Sequence, residues 1–300
     1  MNPAILLRTA VVGALTACLL PAAEPLAKRI GHTDPSKFQH RESVHAGAGP
    51  MRYTSLLPGG AVHNLGFLHR GQIMPGGGIG HHFHNSAEEM FVIFNGEAQF
   101  TVDGRTSLVK GPVGVPVRQG HSHAIVNASN ETLEWMNIQV RMDGPRLDRS
   151  QDPSGSFDLN DDRVGAPHDK IPVFMTTKLY RGMLLEGKTM YGGEGKVQYR
   201  RSLGPTAYYS NWAYVDHMLL PAGSSVGRHV HQGVEEFYYV MDGSGEIAVN
   251  KETATVTTGD AIPIHAKEIH ALKNSGAEPL EVMIVGVSLE KGVIDTVEAR

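Results

Sequence analysis

The stretch from His81 to Gly96 reads HHFHNSAEEMFVIFNG, and the stretch from Arg228 to Gly243 reads RHVHQGVEEFYYVMDG. Each holds a His-x-His pair, His82 with His84 and His229 with His231, followed by a glutamate, Glu89 or Glu236. A strand turns alternate side chains to one face, so the two histidines of a pair point the same way, about 7 Å apart. The step from His84 to Glu89 has the wrong parity for a single strand. It suits two strands joined by a turn, because the turn resets the parity. A fourth group arrives later in the chain, at His123 or His270. Three imidazoles and one carboxylate suit a divalent first-row metal: Mn, Fe, Co, Ni, Cu or Zn. Four protein ligands on a metal that accepts five or six leave positions for water, substrate or dioxygen.

A single His-x-His is often a surface accident, but here the whole pattern recurs. Subtracting 82 from 229, 84 from 231, 89 from 236 and 123 from 270 gives 147 each time, and Gly76, Gly80, Pro116 and Asn127 find their counterparts Gly223, Gly227, Pro263 and Asn274 at the same distance. The chain is therefore two copies of one module, residues 45–142 and 190–289. Within each copy the pattern is strand and turn. EMFVIF and EFYYVM are short runs rich in β-branched and aromatic residues, closed by the hairpin signals Asn95-Gly96 and Asp242-Gly243. Many short strands at even spacing predict an all-β sandwich, jelly roll or barrel. Residues 143–189 read as linker and lead-in strands, and 290–300 as a tail. The part from Asp143 to Asp169 is polar and rich in Pro, Gly and Asp, and reads as a solvated connector. Its Asn160, Asp161 and Asp162 lack the alternation and closing glutamate of a calcium loop.

The bulk properties set limits. Of 300 residues, 41% are hydrophobic and 19% charged, enough to bury a sizeable core. A formal net charge of −4 gives no basic surplus for nucleic acid or an anionic membrane surface. At the N-terminus, Arg8 precedes a charge-free apolar stretch from Thr9 to Leu20. That stretch is short for a bilayer span and reads as a signal peptide over residues 1–23. Cleavage after Ala22 or Ala23 is one exit. The other is LTAC, from Leu15 to Cys18, which resembles a lipobox and would leave a lipid anchor on Cys18. Either makes the mature protein extracytoplasmic, periplasmic or secreted; the bland alternative is a frayed helix of a cytoplasmic protein. Cys18 is the one cysteine. The folded body thus has no disulfide, thiolate metal site or cysteine nucleophile, and any metal falls to His and carboxylate.

These residues resemble the cupins, and specifically the bicupins. The first cupin motif, G-x5-H-x-H-x3,4-E-x6-G, is matched by Gly76, His82, His84, Glu89 and Gly96, and again by Gly223, His229, His231, Glu236 and Gly243. Of the second motif, G-x5-P-x-G-x2-H-x3-N, the first copy keeps Gly120, His123 and Asn127. The second keeps only His270 and Asn274, with Lys267 at the motif glycine, and the motif proline is displaced to Pro116 and Pro263. The resemblance implies two tandem jelly-roll barrels with up to two divalent transition metals (Mn, Fe, Zn, Ni or Cu). One would be held by His82, His84, Glu89 and His123, the other by His229, His231, Glu236 and His270. His121 and Glu268, each two residues before a ligand histidine, are expected either at a turn or beside the metal as catalytic groups. Phe91, Ile93, Tyr238 and Val240 share the glutamates' parity and are expected along the pocket, whereas His81, Phe83, Arg228 and Val230 should face away. Glu88 and Glu235 are expected at the turn. The implied activity is metal-dependent chemistry on a small polar organic molecule, of dioxygenase or decarboxylase/oxidase type. The alternatives are a sugar isomerase or epimerase, or a metal- or sugar-binding protein without turnover. A homo-oligomer is compatible with the fold.

Overall fold

A computed structural model of the chain describes residues 24–143 and 155–299. The proposed leader, with Cys18, lies outside the described residues. Among those described, no helix is long and apolar enough to cross a membrane.

Both modules are jelly rolls of two facing antiparallel sheets, as the strand-and-turn pattern predicts. In the first, one sheet carries Met51–Leu57, Leu65–Ile73, Leu133–Arg141, Ala87–Ile93 and Val113–Val117. The opposing sheet carries Gly78–His84, His123–Val126, Glu97–Val102 and Arg105–Lys110. In the second module, Gln198–Leu203, Trp212–Leu220, Leu280–Ser288, Val234–Asp242 and Asp260–Ile264 face Ser225–Val230, His270–Lys273, Ser244–Val249 and Glu252–Thr257.

The runs EMFVIF and EFYYVM lack the polar alternation of a half-exposed strand because both of their faces are buried. Every residue of Ala87–Ile93 is buried. Phe91 and Ile93 point into the first module's own core with Phe100, Val115 and Trp135. Met90 and Val92 point the other way, into a separate core shared with the second module's Trp212, Phe237, Tyr239 and Val285. Tyr238 and Val240 fill the second module's interior, which also takes in Leu26 and Ile30 of the N-terminal arm. The modules are thus joined through the outer faces of the sheets that carry Glu89 and Glu236.

Their lead-in arms are exchanged. Gly31–His32 pairs with Asp260–Ile264 of the second module, with Gly31 opposite Ala261. In reciprocal fashion Thr177–Lys178, from the linker, pairs with Val113–Val117 of the first, with Thr177 opposite Gly114. The Glu88 and Glu235 carboxylates complete this pseudo-twofold junction. Glu88 is buried and accepts from the backbone N–H of Tyr209 at 2.9 Å and from the N–H and hydroxyl of Ser210, both at 2.6 Å. Glu235 accepts from the N–H of His63 at 2.8 Å, and His63 and Ser210 are themselves 147 apart (210 minus 63). The turn expected for these glutamates is corrected: adjacent residues on a strand face opposite ways, so a ligand pointing inward sends its neighbour outward into the other module.

Segments before and after each module close over its His-x-His strand. A Cβ on Gly80 would sit 1.9 Å from the His45 carbonyl oxygen, and one on Gly227 1.8 Å from that of Tyr191. These glycines therefore let the lead-in loop lie on the strand. Gly80→Ala is expected to lift the loop carrying His45 at a cost of roughly 1–3 kcal/mol. Urea unfolding reads this, and an unchanged midpoint would mean that the loop does not rest on Gly80. Further along the same strand Ser156–Asp158 adds a strand to its edge, with Ser156 opposite His84 and Asp158 opposite His82. Val297–Glu298 does the same in the second module, with Glu298 opposite His229. This part of the linker is not the solvated connector its composition suggests; pairing with the edge of Gly78–His84 satisfies its backbone.

Candidate metal centres

The turn at 85–86 separates Gly78–His84 from Ala87–Ile93, so His82, His84 and Glu89 converge from two strands. His123 opens the neighbouring strand directly opposite His82, as His270 lies opposite His229. The structure brings together His82, His84, Glu89 and His123 as one buried group and His229, His231, Glu236 and His270 as another, with the donor atoms of each group within 4.8 Å of one another.

The imidazoles are oriented from behind. The Nδ1 atoms of His82, His123, His229 and His270 each meet the backbone carbonyl two residues earlier, at 2.8, 3.4, 2.9 and 3.1 Å. Nδ1 of His84 meets the Ser156 hydroxyl at 2.8 Å, and that of His231 meets the Asp295 carbonyl and, at 3.2 Å, the Thr296 hydroxyl. A carbonyl only accepts, so in the five rings that meet one Nδ1 carries the hydrogen and Nε2 is turned to the centre, the arrangement that a metal requires. Nε2 of His123, His231 and His270 and Oε2 of Glu236 are buried without a hydrogen-bond partner. Such a convergence of lone pairs is costly unless a cation sits among them. The donor set fits a divalent transition metal, two per chain, as the sequence predicts.

Charge supports the same reading. Burial raises the Glu89 carboxyl, but His84 and His123 outweigh it and hold the group well below the usual carboxylate range. Burial, then His123, pushes His82 well down, and burial lowers His123. Burial lowers His229 to about 3. His231 differs: burial would lower it, but the Glu236 carboxylate 3.4 Å away raises it to about 9. A metal held at the second centre would need His231 in its neutral form.

Beyond the ligands the centres diverge. Glu89 is held by two amides, Asn137 Nδ2 and Gln139 Nε2, each at 2.9 Å. Glu236 is held by the Tyr214 hydroxyl at 2.6 Å. The exchange is steric. A Cβ on Gly66 would lie 2.4 Å from the Gln139 side chain, and one on Gly286, the counterpart of Gln139, 2.5 Å from the Tyr214 ring. The first centre opens into a cavity of about 240 Å³ walled by Tyr53, Phe67, His69, Phe91 and Trp135. His45 stacks on His82 at 3.9 Å and is tied to Asp158 at 2.6 Å. The second cavity is about 130 Å³. Tyr191 stacks on His229 at 4.5 Å, and Asp216 takes both Arg201 nitrogens at 3.0 Å and the Tyr199 hydroxyl at 2.8 Å.

Phe91 and Tyr238 line these cavities, whereas Ile93 and Val240 are core. His81 and Phe83 face away from the ligands, His81 towards Asp161 and Ser122 and Phe83 onto Phe157. Neither His121 nor Glu268 lines the cavity beside its centre. His121 bonds Asp103 at 2.6 Å, and Glu268 bonds Arg29 at 3.0 Å and the His265 N–H at 2.8 Å. The residues just before each ligand histidine form a turn that points these two side chains away from the centre. Sequence reasoning missed His45, Asn137, Gln139, Ser156 and their second-module counterparts. The lead-in residues did leave a signal: 191 minus 45, 193 minus 47 and 195 minus 49 all give 146, one short of the main offset.

His69 allows a test of burial in the first cavity. It stacks on Phe67 at 4.0 Å, and burial pushes it down to about 4 from 6.5. Between those values the unfolded chain binds a proton that the folded one refuses, so stability falls as pH drops from 6.5 towards 4. The loss by about pH 4.5 is roughly 2–3 kcal/mol. His69→Phe should flatten urea-unfolding stability over that window, and an equally steep curve would assign the acid loss to other groups.

This fold and this paired site define a bicupin: the chain belongs to the cupin family. The Cupin domain model matches residues 69–139 and again 216–286. An oxalate-binding protein of Thermotoga maritima is 34% identical over 100 residues, covering 33% of this chain and 83% of its own. Among solved structures, an oxalate decarboxylase from Bacillus subtilis, a protein with Mn(II) centres, aligns with a TM-score of 0.59 at 19% identity, over 89% of this chain and 79% of that one. The Lactobacillus farciminis oxalate decarboxylase, as its formate complex, aligns at 0.60 and 17%, over 89% and 88%.

Proposed function

We propose that the protein is a metal-dependent enzyme of decarboxylase or oxidase type, dioxygenase chemistry included, acting on a small oxygen-rich organic acid outside the cytoplasm. The observation that carries this reading is the first centre: an oriented three-histidine, one-glutamate set at the wall of a cavity of about 240 Å³. A divalent metal there would polarise a carboxylate or carbonyl as a Lewis acid and, when redox-active, exchange electrons. The chain's residues do the rest. Asn137 and Gln139 aim Glu89, Ser156 fixes the ring of His84, and the aromatic walls limit water around the ligand. The tighter second centre, its polar walls paired with one another, suits a supporting role.

The test is elemental analysis of untagged protein followed by turnover assays on oxalate and other small acids, reading carbon dioxide release and oxygen uptake. Two metal equivalents with either product support the enzyme. The likeness to an oxalate-binding protein favours a second reading, a binding module without turnover, which tight acid binding with neither product would establish. Export is tested by N-terminal sequencing from the native host: a mature chain still starting at Met1 rejects it.

A further inference from the structure

The first cavity contains a polar atom that neither the metal set nor the fold uses. The side chain of Asn137 is buried, 5% exposed, and lines the cavity. Its Nδ2 donates to Glu89 Oε2 at 2.9 Å. With the amide nitrogen donating to this carboxylate oxygen, the amide oxygen is the atom left over. That Oδ1 is buried and meets no hydrogen-bond donor among the described residues. In the same wall Trp135, 1% exposed, keeps an indole N–H without an acceptor. A buried acceptor left unpaired costs about as much as a lost hydrogen bond, so a cavity that keeps one is shaped for a ligand that supplies the missing donor.

The second centre serves as an internal control. The position 147 residues after Asn137 is Ile284, which lines the second cavity, and the counterpart of Trp135 is Val282. Ile284 presents no polar atom there, Tyr214 is spent on Glu236, and Arg201 and Tyr199 on Asp216. The difference lies on one strand of each module, Leu133–Arg141 against Leu280–Ser288, and it separates centres whose ligands are the same.

We propose that Asn137 is a substrate-positioning and specificity-determining residue of the first centre, its Oδ1 accepting a hydrogen bond from a hydroxyl of the substrate. The class of ligand is then an acid with an adjacent hydroxyl, or a protonated acid group, bound through neighbouring oxygens. Charge agrees: a divalent cation with the Glu89 carboxylate leaves one net positive charge among neutral imidazoles, which a monoanion cancels and a dianion overshoots. This rests on the metal-centre reading above and adds to it which hydrogen the substrate must bring.

Lactate and pyruvate are a matched pair of probes. Both are small monoanions able to chelate through adjacent oxygens, and they differ in a hydroxyl against a carbonyl. Calorimetric titration of the Mn(II)-loaded full chain is expected to show lactate binding about tenfold or more tighter than pyruvate. Asn137→Ile, which copies the second centre, should bring that ratio close to one when excess Mn(II) keeps the chain metal-replete, since losing the bond to Glu89 also weakens metal binding. Asn137→Thr, which restores an acceptor, should recover part of the preference, and it serves where the isoleucine variant fails to fold. Equal affinities in the unaltered protein, or a preference that survives in a metal-replete Asn137→Ile chain, overturn the inference and mean that Oδ1 does not meet the substrate. A chain that takes up no metal overturns this inference and the metal-dependent reading together. Selective binding without turnover removes the enzyme and leaves the role of Asn137 standing.

Discussion

His84→Ala lowers the bound metal from two equivalents per chain to one, with the second centre still filled. The two ligand sets share no residue, and His84 supplies a ring nitrogen within 3.1 Å of Glu89 that no other side chain of its group replaces. Loss of a second-sphere partner alone costs 10–100-fold in metal affinity, so loss of a ligand should exceed about 100-fold. Elemental analysis after dialysis at low free metal reads the stoichiometry, and turnover by the same preparation should be abolished. His231→Ala should do the reverse, leaving the first centre and most of the activity. The junction between the modules makes the outcome informative. Glu89 and Glu236 each adjoin a glutamate anchored in the other module. If His84→Ala empties both centres, that junction transmits the loss and the sites form one cooperative unit. If it empties neither, the four-residue group is not a metal centre.

The second large effect is on stability. Glu88→Ala should destabilise the chain by about 3–5 kcal/mol, the range for removing one partner of a buried ionic contact. Its carboxylate serves two backbone N–H groups and a hydroxyl of the second module, and the Ser210 pair among them is buried, so it is left without a partner when the carboxylate is gone. Lys291, whose Nζ meets the Tyr208 carbonyl at 2.8 Å and also that of Ser210, holds the same loop. Once Glu88 is removed, this cation is left facing the backbone without the nearby anion. Glu235→Ala should cost less, because the Glu235 side chain is 17% exposed and water can replace it. Denaturant unfolding followed by tryptophan fluorescence separates the two, since Trp212 sits in the shared core and Trp135 in the first module. Equal losses would mean that the clamps are interchangeable and that burial does not decide their strength.

Much of this architecture was legible in the residues. The doubled motif identifies both ligand groups because a cupin site is encoded locally: strand periodicity aligns His82 with His84, and a short turn brings Glu89 beside them. The same periodicity places Phe91 and Tyr238 along their cavities. The junction was less legible, although EMFVIF and EFYYVM carried its mark. A strand apolar on both faces needs two partners, and the single-barrel picture provides only one. Glu88 and Glu235 were visible as repeated residues, but their role depends on loops 121 and 172 residues away in the chain.

By itself, then, the amino-acid order determined the two-module all-β plan and the two His-His-Glu-His groups, because these depend on short-range spacing repeated at one interval. What surrounds those groups was decided by the tertiary structure. His45 and Tyr191 arrive on lead-in loops admitted by Gly80 and Gly227, and Ser156 and Thr296 arrive on trailing segments 140 residues apart (296 minus 156). Asn137 against Ile284 is a one-residue difference that acquires meaning only when the strand is seen to line a cavity. The physical reason is common to all of them. A ligand set is specified by the pleat of its own strands, whereas the space and polarity beside it are set by long-range packing of segments whose positions no local period records.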